Sequence, residues 1–202
     1  MVRKWCCALM IPLLLLAGCG GGRGGDEAEQ LALEIRAEYL SMAGCTAQLA
    51  VTADYGDRVF ACVLALDHTV GEETALTVVE PELLKGVTAR FRPGSTLLEF
   101  DGASLETGAL TPEGLSPLEC VPFLLKEIQE GFISQWGLET LGETECVRFT
   151  TSDPALKMGQ GTETSLWFDR EDYALKQGEI TVEGVSVLRC TVTDFTWKEK
   201  ED

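Results

Sequence analysis

One histidine is present, His68, in the stretch LDHTV at the expected end of a strand. A single imidazole rules out a histidine-rich metal cluster. A Ser-His-Asp triad is compatible with the composition, but no GxSxG, HExxH, CxxC or glycine-rich phosphate loop marks a nucleophile or an anion cradle. His68 is therefore read as a solvated loop residue. The carboxylates Asp169, Glu171 and Asp172 in WFDRED lack the glycine and terminal glutamate that a calcium loop needs, and read as a charged turn between strands. Paired acids such as Glu72 and Glu73 do acid–base work only inside a cleft, and adjacent pairs are common among 33 acidic residues. Five cysteines stand in the body of the chain: Cys45, Cys62, Cys120, Cys146 and Cys190. Burial as small hydrophobes is the first reading. A disulfide between two strand cysteines, for instance Cys146 and Cys190, is the second. A reactive thiol is the third. Phe60, Phe91, Phe100, Trp136 and Trp167 read first as ordinary core and second as the lining of an apolar cavity.

At the N-terminus Arg3 and Lys4 precede an apolar segment, Trp5 to Gly18, of about fourteen residues. A membrane-spanning helix needs roughly 20, so the segment fits a signal h-region. Leu16-Ala17-Gly18-Cys19 resembles the lipobox of bacterial lipoproteins. That resemblance implies cleavage between Gly18 and Cys19, a diacylglyceryl group on the Cys19 thiol and an acyl chain on its new amine. Two or three chains anchor firmly where one is marginal. Residues 1–18 are thus expected to be a signal peptide, and 19–25 a lipidated cysteine with a glycine-rich tether. No other cofactor is expected.

The chain carries 33 acidic and 16 basic residues, a net charge of −17; without Arg3 and Lys4, 33 acidic face 14 basic side chains, a balance of −19. Such a surface repels phosphate backbones and anionic headgroups, which excludes nucleic acid as a partner and leaves the lipid as the hold on the membrane.

The elements that position these residues follow from periodicity. Leu31, Ile35, Tyr39 and Met42 predict a helix over about Glu27–Leu40, opened by Asp26 and Glu29. Alternation of Cys45, Ala47, Leu49, Val51 and Ala53 with polar residues predicts a half-exposed strand. Val59–Leu66 is apolar throughout and predicts a strand covered on both faces. Further strands are expected near Ala75–Val79, Val87–Phe91 and Leu97–Phe100, in meander order. Ser116-Pro117-Leu118-Glu119 has the form of a capping box, followed by Val121, Leu124, Leu125, Ile128 and Phe132 in a helical stripe, with Gly137 as the stop. Three or more strands close the chain, around Cys146–Thr150, Thr164–Phe168, Gly178–Val182 and Val185–Asp194, with Glu183-Gly184 as the last hairpin. One α+β domain over residues 26–198 is expected, with a disordered charged tail at 199–202.

This order of a lipobox, tether, helix, strand meander, inserted helix and final strands resembles the LolA/LolB-like lipoprotein-carrier superfamily. The segment TSLWFDREDYALKQGEITVEG is similar to that group's Trp-containing strand, acidic turn and returning strand. DYGDRVF, LEFDGASLETG, GLSP and GTETSLWFD resemble small clostridial lipoproteins of the spore-germination GerS type. The resemblance implies a strongly curved antiparallel sheet, an incomplete β-barrel with helices packed in its open side. It implies a non-enzymatic role: binding lipid or acyl chains in the concave face, or alternatively binding a protein partner such as a cell-wall (spore cortex) amidase during germination. The soluble carriers of the superfamily have no anchor. A lipid on Cys19 would exclude shuttling and leave an anchored acceptor or partner-binding protein on the extracytoplasmic face of the cell membrane.

Overall fold

The computed structural model describes residues 24–111 and 115–199. The expected leader, the Cys19 anchor and the tether up to residue 23 lie outside the described residues, as do 200–202 of the expected tail. The first helix, α1, spans Gly24–Ser41 and so begins inside the glycine tract. Asp26 and Glu27 in its first turn complement the positive end of the helix dipole. Ala28, Ala32, Ile35, Tyr39 and the following Met42 recur at intervals of four and three and are all buried.

Six strands follow: β1 Gly44–Asp54, β2 Val59–Thr69, β3 Glu73–Glu80, β4 Thr88–Arg92, β5 Ser95–Phe100 and β6 Ala103–Glu106, with a single 3-10 turn at Glu82–Leu84. Helix α2, Cys120–Glu130, interrupts them. Five more strands close the chain: β7 Ile133–Leu141, β8 Thr144–Ser152, β9 Thr162–Asp169, β10 Leu175–Val182 and β11 Val185–Trp197. All eleven lie in one antiparallel sheet, in the order β6-β5-β4-β3-β2-β1-β11-β10-β9-β8-β7. The first and last strands meet at its centre, with Leu49 opposite Val192 and Val51 opposite Cys190. Among the described residues β6 and β7 are free edges, so the sheet is an incomplete, strongly curved barrel, and both helices lie on its inner face. The α+β architecture is the one the sequence implies.

Alternation places the core. In β1, Cys45, Ala47, Leu49, Val51 and Ala53 are buried while most of their neighbours face water. These residues share one apolar cluster with Leu64, Leu76, Phe149, Leu166, Phe168, Ile180 and Leu188 from six other strands and with Leu124 and Ile128 from α2. Tyr39 fixes α1 to this cluster. Its ring packs edge-on against Phe168 (5.5 Å) and Trp197 (4.9 Å), and its hydroxyl accepts the Leu175 N–H at 3.0 Å. Phe168 in turn stacks on Phe149 at 5.0 Å. Gly178 is needed where α2 crosses β10: a Cβ there would stand 2.6 Å from Leu124 Cδ1. The last hairpin turns at Glu183 and Gly184, with φ of 50° and 76°, as the dipeptide predicts.

Two expectations are corrected, and one strand is added. α2 does not run to Gly137. It ends at Glu130, where the Gly131 N–H bonds to the Glu127 carbonyl, and Ile133–Leu141 becomes edge strand β7, paired with β8. Gly131 lies so close to Thr151 and Glu127 that only a glycine passes, which turns the chain out of the helix. The helical stripe expected to include Phe132 therefore stops at Ile128. β2 is not covered along its whole length: Leu64 and Leu66 are buried, but Val59, Phe60 and Ala61 are exposed. β6, four residues all exposed, carries no alternation signal of its own and is held by pairing with β5.

Candidate functional site

The two helices fill the inner face under β7–β9 and leave the far side open. There, beyond the buried part of β2, lies a cavity of about 500 Å³. Val59, Phe60, Cys62 and Val78 form its wall on the sheet. Pro81 and Leu84 of the 3-10 turn, with Val87, form a second side. Leu110, Ser116, Pro117 and Leu118, from the segment that leads into α2, close the third. None of these side chains is charged.

Glu119 holds that third side in place. It is buried, and its two carboxylate oxygens accept the N–H of Leu110 (2.7 Å), the N–H (2.9 Å) and hydroxyl (2.7 Å) of Thr111, and the hydroxyl of Ser116 (3.0 Å). Its own N–H donates to Ser116 Oγ at 3.2 Å. The Ser116–Glu119 box thus forms, but it folds the turn before α2 rather than the helix's first turn, since the helix starts at Cys120. From the other side, the Tyr55 hydroxyl donates to the Leu115 carbonyl at 2.6 Å while its ring meets Phe60 edge-on at 5.9 Å.

The five aromatic candidates do not converge. Phe60 is on the cavity wall. Phe91 lies on the inner face of β4, half-buried against the core. Phe100 is exposed and borders a separate hollow with Val87, Leu98 and Leu105 beside β6. Trp136, on edge strand β7, donates Nε1–H to the Gly25 carbonyl at 3.1 Å and faces α1. Trp167 is overturned as a lining residue: it lies on the outer face of β9, between the inward Leu166 and Phe168, and donates to Glu139 Oε2 at 2.8 Å. The sequence points to Phe60 but not to Leu84, Leu110 or Leu118 as cavity residues, nor to Glu119 as the residue that holds them, because these come from turns and connections without a period.

The expected Cys146–Cys190 disulfide is also overturned. Cys190 faces the core on β11, whereas Cys146 lies on the outer side of β8 with inward Val147 and Phe149 as neighbours, three strands away. No pairing can bridge opposite faces of a sheet at that spacing. All five cysteines are free in the structure.

His68 is not a loop residue. It ends β2 opposite Cys45, half-buried, and Nδ1 shares a hydrogen bond with Thr74 Oγ1 at 2.8 Å. Burial, reinforced by Lys198, lowers its pKa. Burial pushes the Cys45 thiol up to about 12, so no thiolate is offered to that imidazole near neutrality. The WFDRED acids are spent on their own turn, Asp169 and Asp172 accepting the N–H groups of Glu171 and Ala174. Among the described residues no three His, Cys, Asp or Glu side chains are placed to hold a metal.

Glu73, one of the paired acids, sits on the outer face of β3 and binds Arg90 at 2.5 Å and Arg92 at 2.6 Å. Burial opposes its ionisation, but the two arginines outweigh it and hold the carboxyl below its usual range. A depressed folded pKa stabilises the fold above the unfolded value, about 4.3, and the benefit is lost as pH falls through the folded value. Glu73→Gln is expected to cost about 1 kcal/mol at pH 7 and nothing at the acid end, read from urea midpoints at both pH values. An equal cost at both would assign the loss to packing.

No protein-family model matches the chain, and no curated protein does. Solved structures resemble it at low identity. An uncharacterized conserved protein from Thermus thermophilus superposes with a TM-score of 0.52 at 9% identity, covering 86% of this chain and 90% of its own. A LolA superfamily protein from Nitrosomonas europaea matches 89% of this chain and 96% of its own, at 9% identity and a TM-score of 0.42. A chain in the structure of the CwlD amidase from Clostridioides difficile in complex with the GerS lipoprotein matches 84% of this chain and 95% of its own, at 14% identity and a TM-score of 0.43. At these identities the likeness is one of fold.

Proposed function

We propose that the chain is a membrane-anchored, non-catalytic lipoprotein that holds an acyl chain or similar hydrophobic ligand in its half-barrel, on the extracytoplasmic face of the membrane. The observation that carries this reading is the uncharged cavity of about 500 Å³ at the open side of the sheet. Apolar walls bind by removing apolar surface from water, and the lack of a fixed charge favours a hydrocarbon over a headgroup. In this reading Cys19, lipidated, is the anchor.

The test is titration of the purified protein with a fluorescent fatty-acyl probe, for wild type and Phe60→Asp. Phe60 is half-exposed, so the substitution spares the core. Loss of its contact and entry of a charge should weaken binding at least tenfold, from the roughly 1.5–3 kcal/mol that burying a Phe contributes. Equal affinity for both proteins, or no saturable binding by wild type, would sink the cavity reading.

A second reading, a surface that docks a protein such as a cell-wall amidase, is favoured by β6. This free edge exposes Leu105 beside Phe100 on β5. Loss of partner capture in Leu105→Asp, with probe binding intact, would favour it over the first.

A further inference from the structure

Three of the five cysteines converge on the inner face beside the cavity. Cys62 on β2 is opposite Val51 of β1, and Val51 is opposite Cys190 of β11. The two thiols therefore stand on one rung of the sheet with Val51 between them. Two strand spacings, about 9.6 Å, separate their backbones, too far for a direct bond. Gly178 of β10 continues the rung next to Cys190, and Leu124 of α2 rests in the space that its missing side chain leaves. Cys120 is one helical turn before Leu124. That turn brings Cys120 into the same buried cluster as Cys190, close enough that Cys190 raises the pKa of its thiol. Cys120 and Cys190 are both fully buried.

We propose that Cys120 and Cys190 are joined by a disulfide in the exported protein, tying the first turn of α2 to the central strand β11, and that Cys62 remains a thiol on the cavity wall. The oxidant is the disulfide of a thiol oxidoreductase or of a small thiol. The Cys190 or Cys120 thiolate attacks it, a mixed disulfide forms and one oxidant thiol leaves. The second thiolate then displaces the other. Both protein thiols lose their protons, one S–S bond forms, and the oxidant's S–S bond is reduced to two thiols. The reaction belongs to the folding stage, before α2 closes over the sheet. In the folded chain the Cys190 contact and burial hold the Cys120 thiol well above its ordinary pKa, and a thiol without thiolate does not exchange. The same burial then shields the bond from reductants.

Position matters more than strength. Ser116, Pro117 and Leu118 line the cavity and lead directly into Cys120. With Glu119 fixing one side of that wall and a covalent bond the other, the third side of the cavity cannot drift from the sheet.

The experiment uses the full chain, exported in a bacterial host and extracted from the membrane. Alkylation under denaturing, non-reducing conditions is followed by proteolysis and mass spectrometry. The expected result is a cross-linked peptide pair holding Cys120 and Cys190, with Cys45, Cys62 and Cys146 alkylated. Wild type reduced in denaturant and refolded under reducing conditions should melt about 10 °C below the oxidised protein, from the entropy of a loop running from 120 to 190. Cys190→Ala should lose that response, and Cys146→Ala should keep it. Alkylation of all five thiols, or a bond from Cys120 to Cys62, overturns the assignment. Peptide mapping of wild type decides even if Cys190→Ala fails to fold, and it does not depend on what the cavity binds.

Discussion

Glu119→Ala is expected to destabilise the protein by about 3 kcal/mol and to weaken apolar-probe binding at least tenfold. One buried carboxylate accepts two backbone N–H groups and two hydroxyls here. Alanine leaves those donors without partners in a place water reaches poorly, and each unsatisfied group costs roughly 1–3 kcal/mol before relaxation. The relaxation is the functional part. Leu110 and Thr111 are released from the turn at Ser116–Glu119, and Leu110 and that turn both belong to the cavity wall. Glu119→Gln keeps an acceptor oxygen and should fall between the two. Urea denaturation and probe titration on the three proteins check this. A variant that binds as wild type does would show that the cavity holds its shape without the carboxylate.

Phe168→Ala is the largest purely structural loss, about 4 kcal/mol, within the range for buried aromatic truncations. Phe168 is fully buried, stacks on Phe149 and meets Tyr39 edge-on, so one ring joins β8, β9 and α1. Removing it opens a void where Tyr39 of α1 rests on that stack. At roughly 2–4 °C per kcal/mol for a chain of this size, the Tm should fall by about 8–16 °C. Phe100→Ala, at an exposed position, is the control and should move it by no more than about 2 °C, as surface substitutions do. Equal effects would mean that the ring stack carries no special share of the core.

What is legible in the sequence follows from periodicity. β1 alternates so cleanly that residue type alone assigns each of its inward positions, and α1 and the Glu183-Gly184 hairpin are equally plain. The errors arise where tertiary contact overrules local pattern. Phe132 falls in phase with the stripe of α2, yet Gly131 must pass between Glu127 and Thr151, and the helix stops. β6 is a strand only because β5 offers it partners. Trp167 and Cys146 are buried, as their types suggest, but on the outer face. A residue's type signals burial and does not say which side of a two-sided sheet will bury it. The cavity is the least legible feature, because half of its wall comes from a 3-10 turn and from the approach to α2, which have no repeat to read.

The seam between β1 and β11 sets the timetable of folding. Residues 44–54 must wait for residues 185–197 before the centre of the sheet exists. Until then β1–β6 is a half-sheet whose innermost strand shows an unpaired edge, and α1 has neither Phe168 nor Trp197 to rest on. Contacts so distant along the chain form late and slowly. A polypeptide threaded across a membrane from its N-terminus profits from that delay. If this chain is exported as proposed, it would stay unfolded enough to pass while its C-terminal strand is still to come, and the central strand pair would form only on the far side.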